Sequence, residues 1–338
     1  MSSILNDTPR SLARTILRAI LTATPRFAAR GLVTALVAAC LFQCEGAEPP
    51  VSELTFSPDG KSVLAVSQVG VRIFSWPELK LQRTIESSSA NLHCLSFSPD
   101  GKQFAVGGGD PAEQGSVQLF SWPEGKPLSL FEEHDDSVMS IAWLDDEHIL
   151  SASRDRQVLL SSVLAKKVVS RFAGHSRSVN SICLLSGRKT LVSSGVDHSV
   201  RVWNLETKKL IRSLTQHTKP IHSLAARPDQ DGLPMVASAA ADRTIRFWQP
   251  TIGRMVRYIR LEAEPLAIAW TPDGDKIVAA CVDGQVRVVD PIEVTVTRTI
   301  EAIEGWAYTV ALHPHDGTAV VGGSNGVVKR LGITDVKN

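Results

Sequence analysis

One heptapeptide constrains this chain more than its composition does. Leu54-Thr-Phe-Ser-Pro-Asp-Gly60 returns as Leu95-Ser-Phe-Ser-Pro-Asp-Gly101 and, in looser form, as Ile268-Ala-Trp-Thr-Pro-Asp-Gly274. Weaker copies start at Ile141, Ile182, Leu224 and Val310. The last core residues of the copies are Phe56, Phe97, Trp143, Leu184, Ala226, Trp270 and Leu312, at intervals of 41, 46, 41, 42, 44 and 42. A period of roughly 40–45 residues is the length of a four-stranded propeller blade. Each unit opens with a short alternating strand that ends in Pro-Asp-Gly or a relative, where proline presets φ and glycine accepts positive φ. A small or β-branched run follows, such as Thr190–Val196, then a tight turn carrying Asp155, Asp197, Asp242 or Asp283. The third strand reads Val200-Arg-Val-Trp203 or Ile245-Arg-Phe-Trp248, and a fourth leads into the next unit. Strands this short cannot bury a core singly, whereas radial stacking lets each unit cover its neighbours.

On these residues the chain resembles the WD40-repeat family over about residues 40–338, best from His175 to Asn204 and from His217 to Trp248. The resemblance implies an all-β fold, a seven-bladed β-propeller of WD repeats, here preceded by an N-terminal targeting segment. We expect a leader at 1–47 and a propeller at 48–338, with repeats near 48–86, 87–131, 132–172, 173–214, 215–262, 263–300 and 301–338. Two repeats depart from the pattern with Phe74 and Phe120 in place of tryptophan, repeats six and seven lack the histidine, and Leu331 replaces the last aromatic. The last repeat stops soon after its third strand. In this family an N-terminal strand usually completes the final blade and leaves no open edge. By register that strand is Cys40-Leu-Phe-Gln-Cys44, which conflicts with removal of a leader at Gly46 or Ala47.

Serine, histidine and aspartate recur together: His175, Ser193 and Asp197; His217, Ser238 and Asp242; His134, Ser151 and Asp155. A nucleophilic triad uses the same side chains. Here the set repeats around the chain, with the serine four residues before the aspartate and Trp203 or Trp248 six after it; Ser161 stands there in the third set. Enzymes do not repeat a triad in this way, and in WD repeats the set forms a structural network that ties the strands of one blade together. No catalytic residue is assigned. No cysteine pair has metal-ligand spacing, and Cys94, Cys183 and Cys281 lie in strand-like runs as small hydrophobes. His313 and His315 flank Pro314 in what reads as a surface turn, and Gly107-Gly-Gly-Asp110 reads as a flexible loop. No cofactor or metal is expected.

The net charge of +1 is unevenly spread. Residues 1–44 hold five arginines and one acid and so contribute +4, which leaves −3 for the rest. A mildly acidic body gives no electrostatic reason to bind nucleic acid. The twelve-residue apolar run 31–42, behind Arg26 and Arg30, is too short to span a bilayer comfortably and fits the h-region of a secretory signal. Export to a periplasm or the exterior is favoured. Val37-Ala38-Ala39-Cys40 also resembles a lipobox that would anchor the chain by a lipid on Cys40, and an Arg-rich stretch such as 9–30 also suits an organellar transit peptide.

Propellers bind partners on the face formed by the fourth-to-first and second-to-third strand connections. Loops there carry function because a rigid scaffold positions them. Trp306, Tyr308, Arg243, Arg154, Arg177 and Asp135 are the candidate partner-binding residues. The expected function is a non-catalytic scaffold for one or more proteins. The alternative, a propeller hydrolase or lactonase with a metal in the central channel, needs a ring of inward carboxylates or histidines, and none is legible.

Overall fold

The structure, a computed structural model, describes residues 48–89, 91–228 and 232–333. These residues form seven antiparallel sheets in chain order, at 53–85, 94–134, 138–173, 179–214, 221–260, 265–301 and 307–331. The first six have four strands, each paired with its sequence neighbour, and the seventh has three among the described residues. Inner strands such as Glu53–Phe56, Val179–Leu184 and Ala307–Leu312 pack against those of the blades before and after. The first also meets the last, so the ring closes and the fold is a seven-bladed β-propeller.

The recurring heptapeptide supplies the turn between the first two strands of a blade. Gly60, Gly101 and Gly274 adopt φ of 71°, 69° and 71°, a region that costs side chains with a Cβ. One residue earlier, the aspartate locks the turn: Ser57 Oγ donates to Asp59 Oδ1 at 2.6 Å, and the Lys61 backbone N–H donates to the same oxygen at 3.1 Å.

Burial peaks at the second strand of each blade, is partial at the innermost and is lowest at the outermost. The second strand of each blade is covered on both faces, as in Val236–Ala240 and Ile277–Cys281, where every residue is buried. The outermost strands, such as Lys209–Leu214, are mostly exposed. Buried apolar side chains gather into seven clusters, each shared by two consecutive blades. The seventh packs Val51, Leu54 and Phe56 of blade 1 on Val320 of blade 7. No blade therefore owns a core. Hydroxyls stitch the same seams: Ser140, Ser181 and Ser223 accept the backbone N–H of Ile182, Leu224 and Ile268, one blade on, at 3.2, 3.0 and 3.3 Å. Thr309 accepts that of Leu54 at 3.4 Å and carries the pattern across the closure.

Two sequence expectations are corrected. Gly107–Gly109 are not loop: they lie in the strand Gln103–Asp110, which pairs along its length with Gln114–Ser121. Glycine is required because a Cβ on Gly107 would come within 2.7 Å of Cys94 Sγ and 2.8 Å of Val138 Cγ1. His313 is buried rather than on a surface turn. It stacks on Trp76 at 5.5 Å, and its Nε2 lies 3.2 Å from the Gly60 carbonyl oxygen, joining blade 7 to blade 1. His315 is exposed. The expected closing strand, Cys40–Cys44, lies outside the described residues.

Closure can be tested at Gly322, where a Cβ would meet Val51, Leu54 and Thr309 side chains at 2.7–2.9 Å. Gly322→Val should cost about 1–3 kcal/mol through overpacking. Urea unfolding measures it; an unchanged midpoint would mean that this seam does not limit stability.

Candidate functional site

Because strands alternate in direction, the fourth-to-first connections and the second-to-third turns lie at the same end of the ring. Three blades brace this end with the same histidine, serine and aspartate, and two of them add a tryptophan. In blade 5, Trp248 Nε1–H donates to Ser238 Oγ (2.8 Å), Ser238 Oγ lies 2.7 Å from His217 Nε2, and His217 Nδ1 lies 2.8 Å from Asp242 Oδ2. Blade 4 repeats this with Trp203, Ser193, His175 and Asp197 at 2.8, 2.8 and 2.9 Å. Blade 3 brings together His134, Ser151 and Asp155 at 2.8 and 2.7 Å. One assignment satisfies every donor in blades 4 and 5: indole to hydroxyl, hydroxyl to Nε2, and a neutral imidazole giving its Nδ1 proton to the carboxylate.

The electrostatics suit that assignment. Burial pushes His217 down to about 4, against the pull of Asp242, so the ring is neutral near pH 7. Burial would raise the Asp242 carboxyl, but hydrogen bonds from Thr244, His217 and the Thr218 N–H outweigh it and hold it at about 2. Ser193 and Ser238 are completely buried and already engaged by an indole, so their hydroxyls are out of reach of a substrate. In blade 6, which lacks the histidine, Arg287 takes over the aspartate. It donates to both Asp283 oxygens, at 3.1 and 2.6 Å. The equivalent Arg201 and Arg246 approach Asp197 and Asp242 only to 3.7 Å. The sequence signal was an arginine four residues after each of these aspartates, and it went unread.

The partner-binding candidates sit on this braced end. Arg154, Arg177, Arg243 and Asp135 are exposed. Trp306 is 50% exposed, its ring 5.6 Å from that of half-buried Tyr308. The Trp306 backbone is pinned on both sides, its N–H donating to Ser324 Oγ and its carbonyl accepting the Ser324 N–H, each at 3.0 Å. The structure thus holds the indole's base firmly and leaves its face open. Tyr308 and Trp306 lie in blade 7, whereas the arginines lie in blades 3–5, so the candidates occupy separate sectors.

Glu53 was missed by sequence reasoning. It occupies the seam position that is Ser140, Ser181, Ser223 or Thr309 in other blades and accepts the Leu95 N–H just as they accept theirs. Burial among blade 1 and blade 2 atoms pushes its carboxyl up to about 8, only partly offset by that hydrogen bond. Aligning the repeats exposes it as the one carboxylate in a column otherwise of Cys94, Ser, Ala267 and Thr.

At the opposite end a cavity of about 590 Å³ opens, lined by Ser96, Trp143, Cys183, Arg188 and Arg227 among others. Its cations are already engaged. Arg188 donates to the Leu144 carbonyl at 2.9 Å; Arg227 donates to that of Gly274 at 2.6 Å and lies 5.4 Å from the Trp270 ring centre. Burial pushes the Cys183 thiol up to about 12, which leaves it unreactive. Among the described residues no group of three His, Cys, Asp or Glu side chains could hold a metal.

Ser238→Ala should strand a buried indole N–H and imidazole nitrogen and cost about 2 kcal/mol of unfolding free energy. A stability unchanged in urea melts would mean that the serine is not a brace. For Glu53, both folded and unfolded states are protonated below about 4.5; between there and about 8 only the folded state keeps the proton. Its stabilising contribution is therefore complete at low pH and lost as pH rises toward about 8. Glu53→Gln should remove this slope, so its thermal midpoint should gain on the natural protein between about pH 5 and about pH 9. A parallel pair of curves would refute the assignment.

The family model for "WD domain, G-beta repeat" matches residues 79–120, 125–160, 166–204, 208–249 and 262–290, more than half of the chain. Curated relatives include Protein FIZZY-RELATED 3 of Arabidopsis thaliana, 26% identical over 65% of this chain and 45% of that protein. Anaphase-promoting complex subunit cdc20 of Dictyostelium discoideum is 25% identical over 65% of this chain and 44% of its own. Methylosome protein WDR77 of Xenopus laevis is 29% identical over 48% and 51%. The chain spans about half the length of these relatives. The recurring turn, the braced blades and the matched repeats together place this chain in the WD40-repeat family.

Proposed function

We propose that this chain is a non-catalytic binding platform that gathers one or more protein partners on the braced end of its ring. The observation that carries the reading is Trp306, half exposed on a backbone fixed from both sides. Exposed tryptophans and arginines are the commonest anchors of protein interfaces, and a rigid base lowers the entropy lost when such an anchor docks. The polar sets that resemble catalytic triads are consumed in bracing, which supports binding over catalysis. The names of two relatives place them in assemblies, an anaphase-promoting complex and a methylosome, which fits a partner-binding role here. Export of the chain belongs to the same proposal and rests on the sequence of residues 1–47 alone.

Affinity capture from the soluble and membrane fractions of the native host, with the full chain as bait, tests the reading. A protein partner should be retained by the natural chain and reduced about tenfold or more by Trp306→Ala combined with Arg243→Ala. The fraction that yields it reports the compartment. A folded bait that captures no protein in either fraction would end the platform reading.

A further inference from the structure

The connections on the braced end divide by charge. In blades 6, 7, 1 and 2 the connecting segments contain no lysine or arginine, and they expose acids that include Glu262, Glu304, Glu86 and Glu113. From the turn of blade 3 to the turn of blade 5 the sign reverses. Arg154, Arg156, Arg177, Lys219 and Arg243 are all exposed, and none forms an ion pair with another described residue. The braces do not use them: the arginines that approach the brace aspartates, Arg201 and Arg246, are different residues set deeper in the same blades, and of the five Arg243 donates to the Glu262 carbonyl oxygen at 3.4 Å. Within the sector Asp155, Asp197 and Asp242 are held by the brace histidines at 2.7–2.9 Å, and at its edges lie Glu262 on one side and, on the other, Asp135 and Asp136. Asp136 is occupied: its carboxylate accepts the Ala112 and Ser137 N–H groups at 3.0 and 2.7 Å.

We propose that the sector formed by blades 3–5 receives an acidic peptide segment of a protein partner; this rests on the platform reading above. Guanidinium groups match carboxylates in a two-bond fork, and the acids across the ring mouth would hold such a segment to this side by repulsion. A nucleic acid fits less well. Single strands are held by aromatic rings interleaved with cations, but Trp306 and Tyr308 stand among the acids of blade 7. A long polyanion crossing the mouth would meet those acids too.

The full-length protein is titrated with a labelled peptide rich in Glu and Asp, with its Gln/Asn counterpart, with a Lys-rich peptide and with a single-stranded RNA. The acidic peptide should bind alone among the four, more weakly as salt is raised. Arg154→Glu with Arg177→Glu should weaken it at least about tenfold, while Lys167→Glu on the exposed outer strand of blade 3 should leave it unchanged. If the reversed pair fails to fold, Arg154→Gln with Arg177→Gln should still weaken binding. Equal binding of the neutral peptide, preference for RNA, or indifference to both pairs overturns the proposal. If partner capture through Trp306 persists while the acidic peptide fails, the platform stands and this sector does not serve it. If capture itself fails, the platform reading falls whatever the peptide does.

Discussion

Every blade of this protein is a sheet that is apolar on both faces, and no sheet of that kind is stable in water alone. Burial between neighbours is therefore the interaction on which everything else depends. The seven clusters make this literal, since each is built from two blades and the last joins blade 7 to blade 1. Stability is shared among nearest-neighbour seams, as in other repeat architectures, with the difference that a ring has no terminal unit to cap. The closing seam carries a cluster, a hydroxyl stitch from Thr309 and the stacked His313–Trp76 pair.

Polar chemistry is organised around that packing. Each buried histidine, serine and aspartate in blades 3–5 sits where an unpaired group would be costly, and the sets convert that liability into bracing of one end of the ring. Arg287 shows that the requirement is for a partner to the aspartate and not for a histidine in particular. Glu53 shows the opposite case. A carboxyl placed in a column of hydroxyls takes over the same hydrogen bond, and the low-dielectric seam raises its proton affinity instead of charging it. With the brace groups paired among themselves, exposed cations of this end such as Arg154 and Arg177 form no ion pair with described residues, which suits the proposed binding face.

Much of the fold was legible because propeller blades are local objects. The Pro-Asp-Gly turn, the small second strand and the aspartate-bearing turn each act within about a dozen residues, so the period alone exposes them. The histidine sets were legible for the same reason, their spacing being repeated in three units. Gly107 and His313 were misread because their environments come from other blades. Gly107 is glycine on account of Cys94 and Val138, and His313 is buried by Phe56 and Trp76, more than 200 residues earlier in the chain. Glu53 looks like an ordinary surface acid until the column it shares with Ser140 and Thr309 is seen to face a neighbouring blade.

The sequence by itself determined the number of blades, the turn chemistry and the members of each polar set, since all of these follow from contacts short along the chain. Tertiary structure alone decided which side chains cross the seams, which hydroxyls are already engaged, and how the charges of separate connections add up. The charged residues of blades 3–5 are spread over about 90 positions of sequence. They form one basic sector only because ring closure brings their connections to the same end, and Coulomb interactions depend on distance in space and not along the chain.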